Sequence, residues 1–209
     1  MKSALVRDKL SVCCMNSQSI CARKMSKLEE LKKIANISNV DVMSISESWL
    51  NEKISDDVLN IDNYTVIRND RLGRLGGGII VYIKKHFHFR ILEKSCYIAG
   101  ETEYIFLELQ INKQKILLGF FYNPPEFDCS PLLTQKFSRY EFQYEHILLM
   151  GDFNTNILNS QSDRTRRFTS FMENFSFSSL GDTPTQPVPK GGGGGVRVLN
   201  PPHNRRSIH

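Results

Sequence analysis

Short apolar runs alternate with polar, turn-prone stretches along this chain, and that alternation predicts most of its elements. Leu10-Ser-Val-Cys-Cys-Met15 is apolar and β-tolerant and reads as a first strand. Met25, Leu28, Leu31 and Ala35 recur at three- to four-residue spacing with charges between them. That spacing predicts an amphipathic helix over 24–36. A second strand follows over 40–46, and a strand–helix–strand opening points to α/β layering. Residues 51–63 are polar and irregular. Strands are predicted over 64–68, 79–83, 104–110, 115–122 and 146–150, with a hairpin-like Ile111-Asn-Lys-Gln114 between two of them. A weak helical pattern covers 132–140. A clearer one over 164–175 places Phe168, Phe171, Met172 and Phe175 on one face. Strands dominate, with helices early and late, which predicts a β-sandwich with helices packed outside it.

The pattern stops near Pro184. Five of the eight prolines lie from there onward, followed by the run Gly191–Gly195, with no apolar face to offset ordering entropy. The expected organisation is an extension over 1–9, one domain over 10–186 and a low-complexity, disordered tail over 187–209. A chain of 209 residues, 40% hydrophobic and 23% charged, suits one globular domain with a sizeable core. No apolar run is long enough to span a membrane, and the N-terminus lacks the apolar core of a secretory signal. The five cysteines (13, 14, 21, 96, 129) are odd in number and form no CxxC, which argues against a disulfide framework and a structural zinc site. The expected compartment is therefore intracellular, nuclear or cytoplasmic. A net charge of +5 is compatible with a polyanionic partner but does not establish one.

Candidate chemistry centres on His146-Ile-Leu-Leu-Met-Gly-Asp-Phe-Asn154. Side chains alternate across a strand, so Asp152 and Asn154 point one way and Phe153 the other. An acid and an amide at the end of a buried strand need partners, and a hard cation or a phosphate oxygen would serve. A strand-to-turn exit favours the same residue types. Asn16, Glu47 and Tyr122 also end predicted strands, a pattern that can converge on one edge of a sheet. Gly76-Gly-Gly78 is neither a P-loop nor a dinucleotide fingerprint, because no Gly-Lys-Ser/Thr and no helix follow it. It reads as a tight turn with positive φ. The neighbouring Arg68, Arg71 and Arg74 can hold phosphates or simply form an exposed basic turn. None of the five histidines is placed to act as a general base, and His146 lies about 20 Å along its strand from Asp152.

Together these motifs carry a resemblance. Asn16-Ser-Gln-Ser-Ile20, Ser46-Glu-Ser-Trp-Leu50, Arg68-Asn-Asp-Arg71 with Gly76-Gly-Gly-Ile-Ile-Val-Tyr82, Phe121-Tyr-Asn-Pro-Pro125 and Gly151-Asp-Phe-Asn154 occur in that order. The chain resembles the endonuclease/exonuclease/phosphatase superfamily over about residues 10 to 186. More closely, it resembles the endonuclease domain of non-LTR (LINE- or jockey-like) retrotransposon polyproteins. The resemblance implies a four-layered α/β/β/α sandwich of deoxyribonuclease-I-like type and Mg²⁺- (or Mn²⁺-) dependent cleavage of DNA phosphodiesters. It implies Glu47 and Asn16 at the metal, Tyr122 and Asn154 at the phosphate, and Asp152 orienting the attacking water. Thr185 would match the family's phosphate-contacting threonine, while Arg68, Arg71 and Arg74 are the phosphate or DNA contacts that the basic turn itself suggests. No membrane and no obligate protein partner are implied.

The family pattern also continues with a Ser-x-Ile-Asp strand and a Ser-Asp-His end, and neither is found here. The chain thus looks like a C-terminally truncated copy lacking its last strands, with the pair that orients and protonates missing. An impaired DNA endonuclease is the expectation. A catalytically inactive nucleic-acid-binding remnant is the alternative, and a phosphatase or phosphodiesterase of the same superfamily is a third.

Overall fold

Two mixed sheets lie face to face in the computed structural model, which describes residues 10–22, 25–71, 73, 76–98 and 100–179 and, of 196–200, the backbone. The first sheet has β1 (Val12–Asn16) parallel to β2 (Val42–Ser46). Antiparallel to β2 runs β4 (Ile79–Lys84), followed by β3 (Tyr64–Asn69), giving the order β1-β2-β4-β3. The second contains β5 (His88–Lys94), β6 (Glu103–Ile111), β7 (Gln114–Tyr122) and β8 (His146–Asp152). It is extended by β10 (Val196–Asn200) and β9 (Ser178–Ser179), in the order β5-β6-β7-β8-β10-β9. Only β7 and β8 pair in parallel there, which requires the crossover through α3 (Ser130–Tyr140).

Period-two alternation sorts the side chains into layers. Val42, Val81 and Ile83 meet Ile105, Leu107, Leu118, Phe120 and Met150 between the sheets. The opposite faces of β2 and β4 present Met43, Ile45, Ile80 and Tyr82 to Leu28, Leu31 and Ala35 of α1 (Ser26–Ser38). On the far side, Phe106, Phe121 and Leu149 pack against Phe137 of α3 and Phe168 and Phe171 of α4 (Asp163–Asn174). The result is an α/β/β/α sandwich. Adjacent Cys13 and Cys14 join different layers, packing outside and inside the first sheet, and none of the five cysteines is in a disulfide. Among the described residues no helix is long and apolar enough to cross a membrane.

Four elements depart from the sequence reading, the two-residue β9 among them. A short helix, α2 (Asp56–Leu59), interrupts the segment expected to be irregular. The strand β5 is a mostly exposed edge whose register shifts between Ile91 and Glu93, so the bulge breaks the alternation that would announce it. Residues 196–200, expected within a disordered tail, instead form β10. Their Val-Arg-Val-Leu-Asn backbone pairs antiparallel with β8 and occupies an edge that β8 would otherwise leave open.

At the end of the sandwich where β2 begins, Asp41 is 2% exposed and accepts the backbone N–H and hydroxyl of Ser11 at 2.9 and 2.7 Å. Lys84 Nζ lies 3.2 Å from its other oxygen. Burial pushes this carboxyl up, but the Ser11 hydrogen bonds and the Lys84 ammonium outweigh it and hold it below the usual aspartate value. A depressed native pKa stabilises the fold above the unfolded value, and that stability is lost as pH falls through the native one. Asp41→Asn should therefore destabilise the protein at neutral pH by roughly 3–5 kcal/mol, since Lys84 is left buried without its counter-charge. In urea unfolding the gap between variant and parent should narrow as pH drops from about 5 towards about 2.

Candidate active site

The polar end of the inter-sheet space follows from the same alternation. Continuing the apolar rows by two residues brings Glu103 on β6, Tyr122 on β7, Asp152 on β8 and Asn16 on β1 onto the faces that meet. Glu103 pairs with Tyr122 and Tyr122 with Asp152, so these three form one rung across the second sheet. Asn16 pairs with Ser46 at the corresponding end of the first sheet. Its amide joins the two: Asn16 Nδ2 lies 2.8 Å from Glu47 Oε1 and 2.9 Å from Asp152 Oδ2. One NH₂ group thus holds two carboxylates that come from opposite sheets.

Loop backbone fixes those carboxylates. After β1 and β2 the chains continue side by side, with Ser19 N–H donating to Glu47 O at 2.8 Å and Ile20 N–H to Ser48 O at 3.0 Å. From the other flank, Gly78 O and Gly77 O accept from Ser48 N–H and Trp49 N–H at 3.2 and 3.0 Å. Glu47 and Trp49 both adopt positive φ, 51° and 54°, a strained conformation that persists only when its surroundings over-determine it. The Gly76–Gly78 turn has positive φ throughout, as the sequence predicts, and so serves to clamp the Glu47 loop. Asn154 (φ 46°) donates its backbone N–H to Asp152 Oδ1 at 3.0 Å and its side-chain amide to Asn123 O at 2.7 Å. Phe153 points away into the helix-covered core.

Burial pushes the Asp152 carboxyl above the usual aspartate value, although the hydrogen bonds from Asn16 and Asn154 oppose it. Tyr122, 8% exposed, has its phenol pushed up to about 12, first by burial and then by Glu47. It is therefore a neutral hydrogen-bond donor at physiological pH. Glu47, Glu103 and Asp152 all act electrostatically on Tyr122, as does one cation, Arg71. Three carboxylates against one guanidinium leave an excess of anionic oxygen at the rim. That donor set fits a hard divalent cation such as Mg²⁺, which takes one or two protein carboxylates and keeps several waters. Among the described residues no group of three or more His, Cys, Asp or Glu side chains is positioned as a fuller metal cage.

The structure brings together Asn16, Glu47, Tyr122, Asp152 and Asn154, with Arg71 beside them, but not Arg68. The Arg68 guanidinium is committed to Asp56 at 2.7 Å, to both oxygens of Asp70 and to the carbonyls of Asn51 and Ile54. It staples the 51–56 loop to β3, so its guanidinium is engaged within the fold. Arg74 and Thr185 lie outside the described residues. The described histidines sit at the opposite end: His88 pairs with Gln110, His146 with Ile116, and His86 lies in the turn after β4. Two residues escaped the sequence reading. Glu103 looks like an ordinary polar position in an alternating strand. Asn123 is fully buried and links Thr102, Phe127 and Phe153, so it fixes the turn that carries Asp152 and Asn154. Its place between Tyr122 and two prolines was the available signal.

Comparison with protein-family models gives no match, and neither does comparison with curated proteins. Solved structures do match. The endonuclease domain of TRAS1, a telomere-specific non-LTR retrotransposon, aligns with 92% of this chain and 85% of its own at a TM-score of 0.65 and 15% identity. An endonuclease/exonuclease/phosphatase family protein from Leptotrichia buccalis aligns with 92% of this chain and 88% of its own, at 0.66 and 13%. TDP2 from D. rerio, complexed with a single-strand DNA product, covers 96% of this chain and 87% of its own at 0.59 and 13%. The chain therefore has the fold of endonuclease/exonuclease/phosphatase proteins. At such identities the likeness bears on the fold alone.

A Cβ built on Gly151 (φ 146°) would lie 2.0 Å from the Phe121 carbonyl oxygen, on the strand next to it. Gly151→Ala must push β7 and β8 apart beside the Tyr122–Asp152 pair. Overpacking of this kind costs about 1–3 kcal/mol or more. Urea unfolding should show that loss, and a variant as stable as the parent would contradict the close approach.

Proposed function

We propose that the domain is a divalent-metal-dependent endonuclease acting on DNA phosphodiesters, of the type found in non-LTR retrotransposons. The observation that carries this reading is the single Asn16 amide bound to both Glu47 and Asp152, residues 31 and 136 positions away. Ordered convergence of an amide and two carboxylates at a sheet edge is expensive without a ligand to organise. Glu47, with Asn16 beside it, would hold Mg²⁺ or Mn²⁺, which when bound neutralises charge developing on the phosphoryl group. Asp152 orients a water for in-line attack and draws off its proton, a task suited to a carboxyl whose affinity for protons is raised. The neutral Tyr122 phenol donates to a phosphate oxygen, and Asn154, held by the Asn123 carbonyl, steadies the same group.

The protonating half of the site is the weak one. Every described histidine lies at the far end of the sheets, so no described imidazole is placed to protonate the departing oxygen. General acid catalysis contributes typically about 10²–10⁴-fold, and turnover is expected to be lower by that order. The same observation favours a second reading, in which the domain binds nucleic acid without cutting it. Plasmid nicking in Mg²⁺ and in EDTA separates the two. The nuclease reading expects slow nicking that requires Mg²⁺ and vanishes in Glu47→Ala and in Asp152→Ala. Salt-sensitive DNA binding without any product would establish the binding reading instead. Faster turnover of small phosphoesters than of DNA would move the assignment to a phosphatase.

A further inference from the structure

Arg71 is built into the site from several sides. Its side chain is 14% exposed, and its Nε donates to Glu103 Oε1 at 2.5 Å. Glu103 is itself 3% exposed, and its second oxygen accepts the Gly78 N–H at 2.6 Å. The guanidinium carbon lies 5.0 Å from the Tyr97 ring centroid and 5.6 Å from that of Tyr122, within cation–π range of both. Gly77 makes the room: a Cβ there would stand 2.2 Å from Arg71 Nε and 2.4 Å from Glu103 Oε1. One side of the fork is thereby spent on orientation. Nη1 and Nη2 find no acceptor among the described residues, in contrast to Arg68, whose two terminal nitrogens are both engaged.

A fixed guanidinium with both terminal nitrogens free matches the oxygens of a phosphate. Its setting also needs it. A phosphodiester entering beside Glu47, Glu103 and Asp152 meets three carboxylates, and an adjacent cation offsets that repulsion. We propose that Arg71 binds the non-bridging oxygens of the substrate phosphodiester through Nη1 and Nη2, with Glu103 as its positioning residue. Arg71 thereby supplies charge stabilisation in a site that no described histidine reaches. The assignment deepens the nuclease reading and rests on it for the identity of the ligand.

Two measurements test it. In EDTA, the ³¹P resonance of dimethyl phosphate should broaden with the parent protein, less with Arg71→Lys, and not with Arg71→Ala. Because Arg71→Ala leaves Glu103 buried without its partner, the double variant Arg71→Met/Glu103→Gln is assayed beside it. Thermal unfolding confirms that each is folded. In Mg²⁺, loss of an oriented donor to a developing oxyanion should lower kcat for nicking by about 10²–10³-fold and change KM far less. Identical ³¹P behaviour of parent and folded Arg71 variants, including no broadening with any, overturns the assignment. So does nicking by a folded Arg71 variant at the parent rate. A parent that binds dimethyl phosphate through Arg71 yet never nicks DNA overturns the nuclease reading and leaves Arg71 as a phosphate site.

Discussion

Everything at the site depends on how the apolar space between the two sheets ends. Stacked sheets stand about 10 Å apart and fill the gap with interleaved side chains. Along β6, β7, β8 and β1 the inward rows are apolar until their final position, where they become Glu103, Tyr122, Asp152 and Asn16. Polar groups at such a margin must find partners, and they find one another across the gap. The Asn16 amide is the link, because it reaches both Glu47 and Asp152 and so registers one sheet against the other.

That link is supported more by backbone than by side chains. The Glu47 loop is held on one flank by the 17–20 segment and on the other by the glycine turn. Asn123 does the same for the Asp152–Asn154 turn from within the core. Rigid backbone on both sides keeps the acidic groups together even though their mutual repulsion favours separation. Helices α1, α3 and α4 contribute no residue to the site. They bury the outer faces of the sheets and so fix the geometry of the rim.

Charge distribution then separates two kinds of arginine in one short segment. Arg68 and Arg71 are three residues apart in a motif that reads as uniformly basic. Arg68 turns into the 51–56 loop and is spent on Asp56, Asp70 and two carbonyls. Arg71 turns toward Glu103 and the tyrosines and keeps its terminal nitrogens for a ligand. Composition alone cannot make that distinction, because the partners are supplied by residues as distant in the chain as Glu103 and Tyr122.

The apolar periodicity by itself determined seven of the strands, the three longer helices and their layering, because burial on one face imposes a period that a single chain displays. It also placed Asn16, Glu47, Tyr122 and Asp152 at strand ends, where polar residues after apolar runs are conspicuous. Bulged, exposed β5 and the short β10 were not legible, since their order comes from pairing with β6 and β8 rather than from their own pattern. Convergence was likewise decided only by tertiary structure. A hydrogen bond between Asn16 and Asp152 spans 136 residues, and only the register of two sheets and the packing between them can set it. The same packing assigned Glu103 and Asn123 their places, because a buried carboxylate and a buried amide are recognisable only once their surroundings are known.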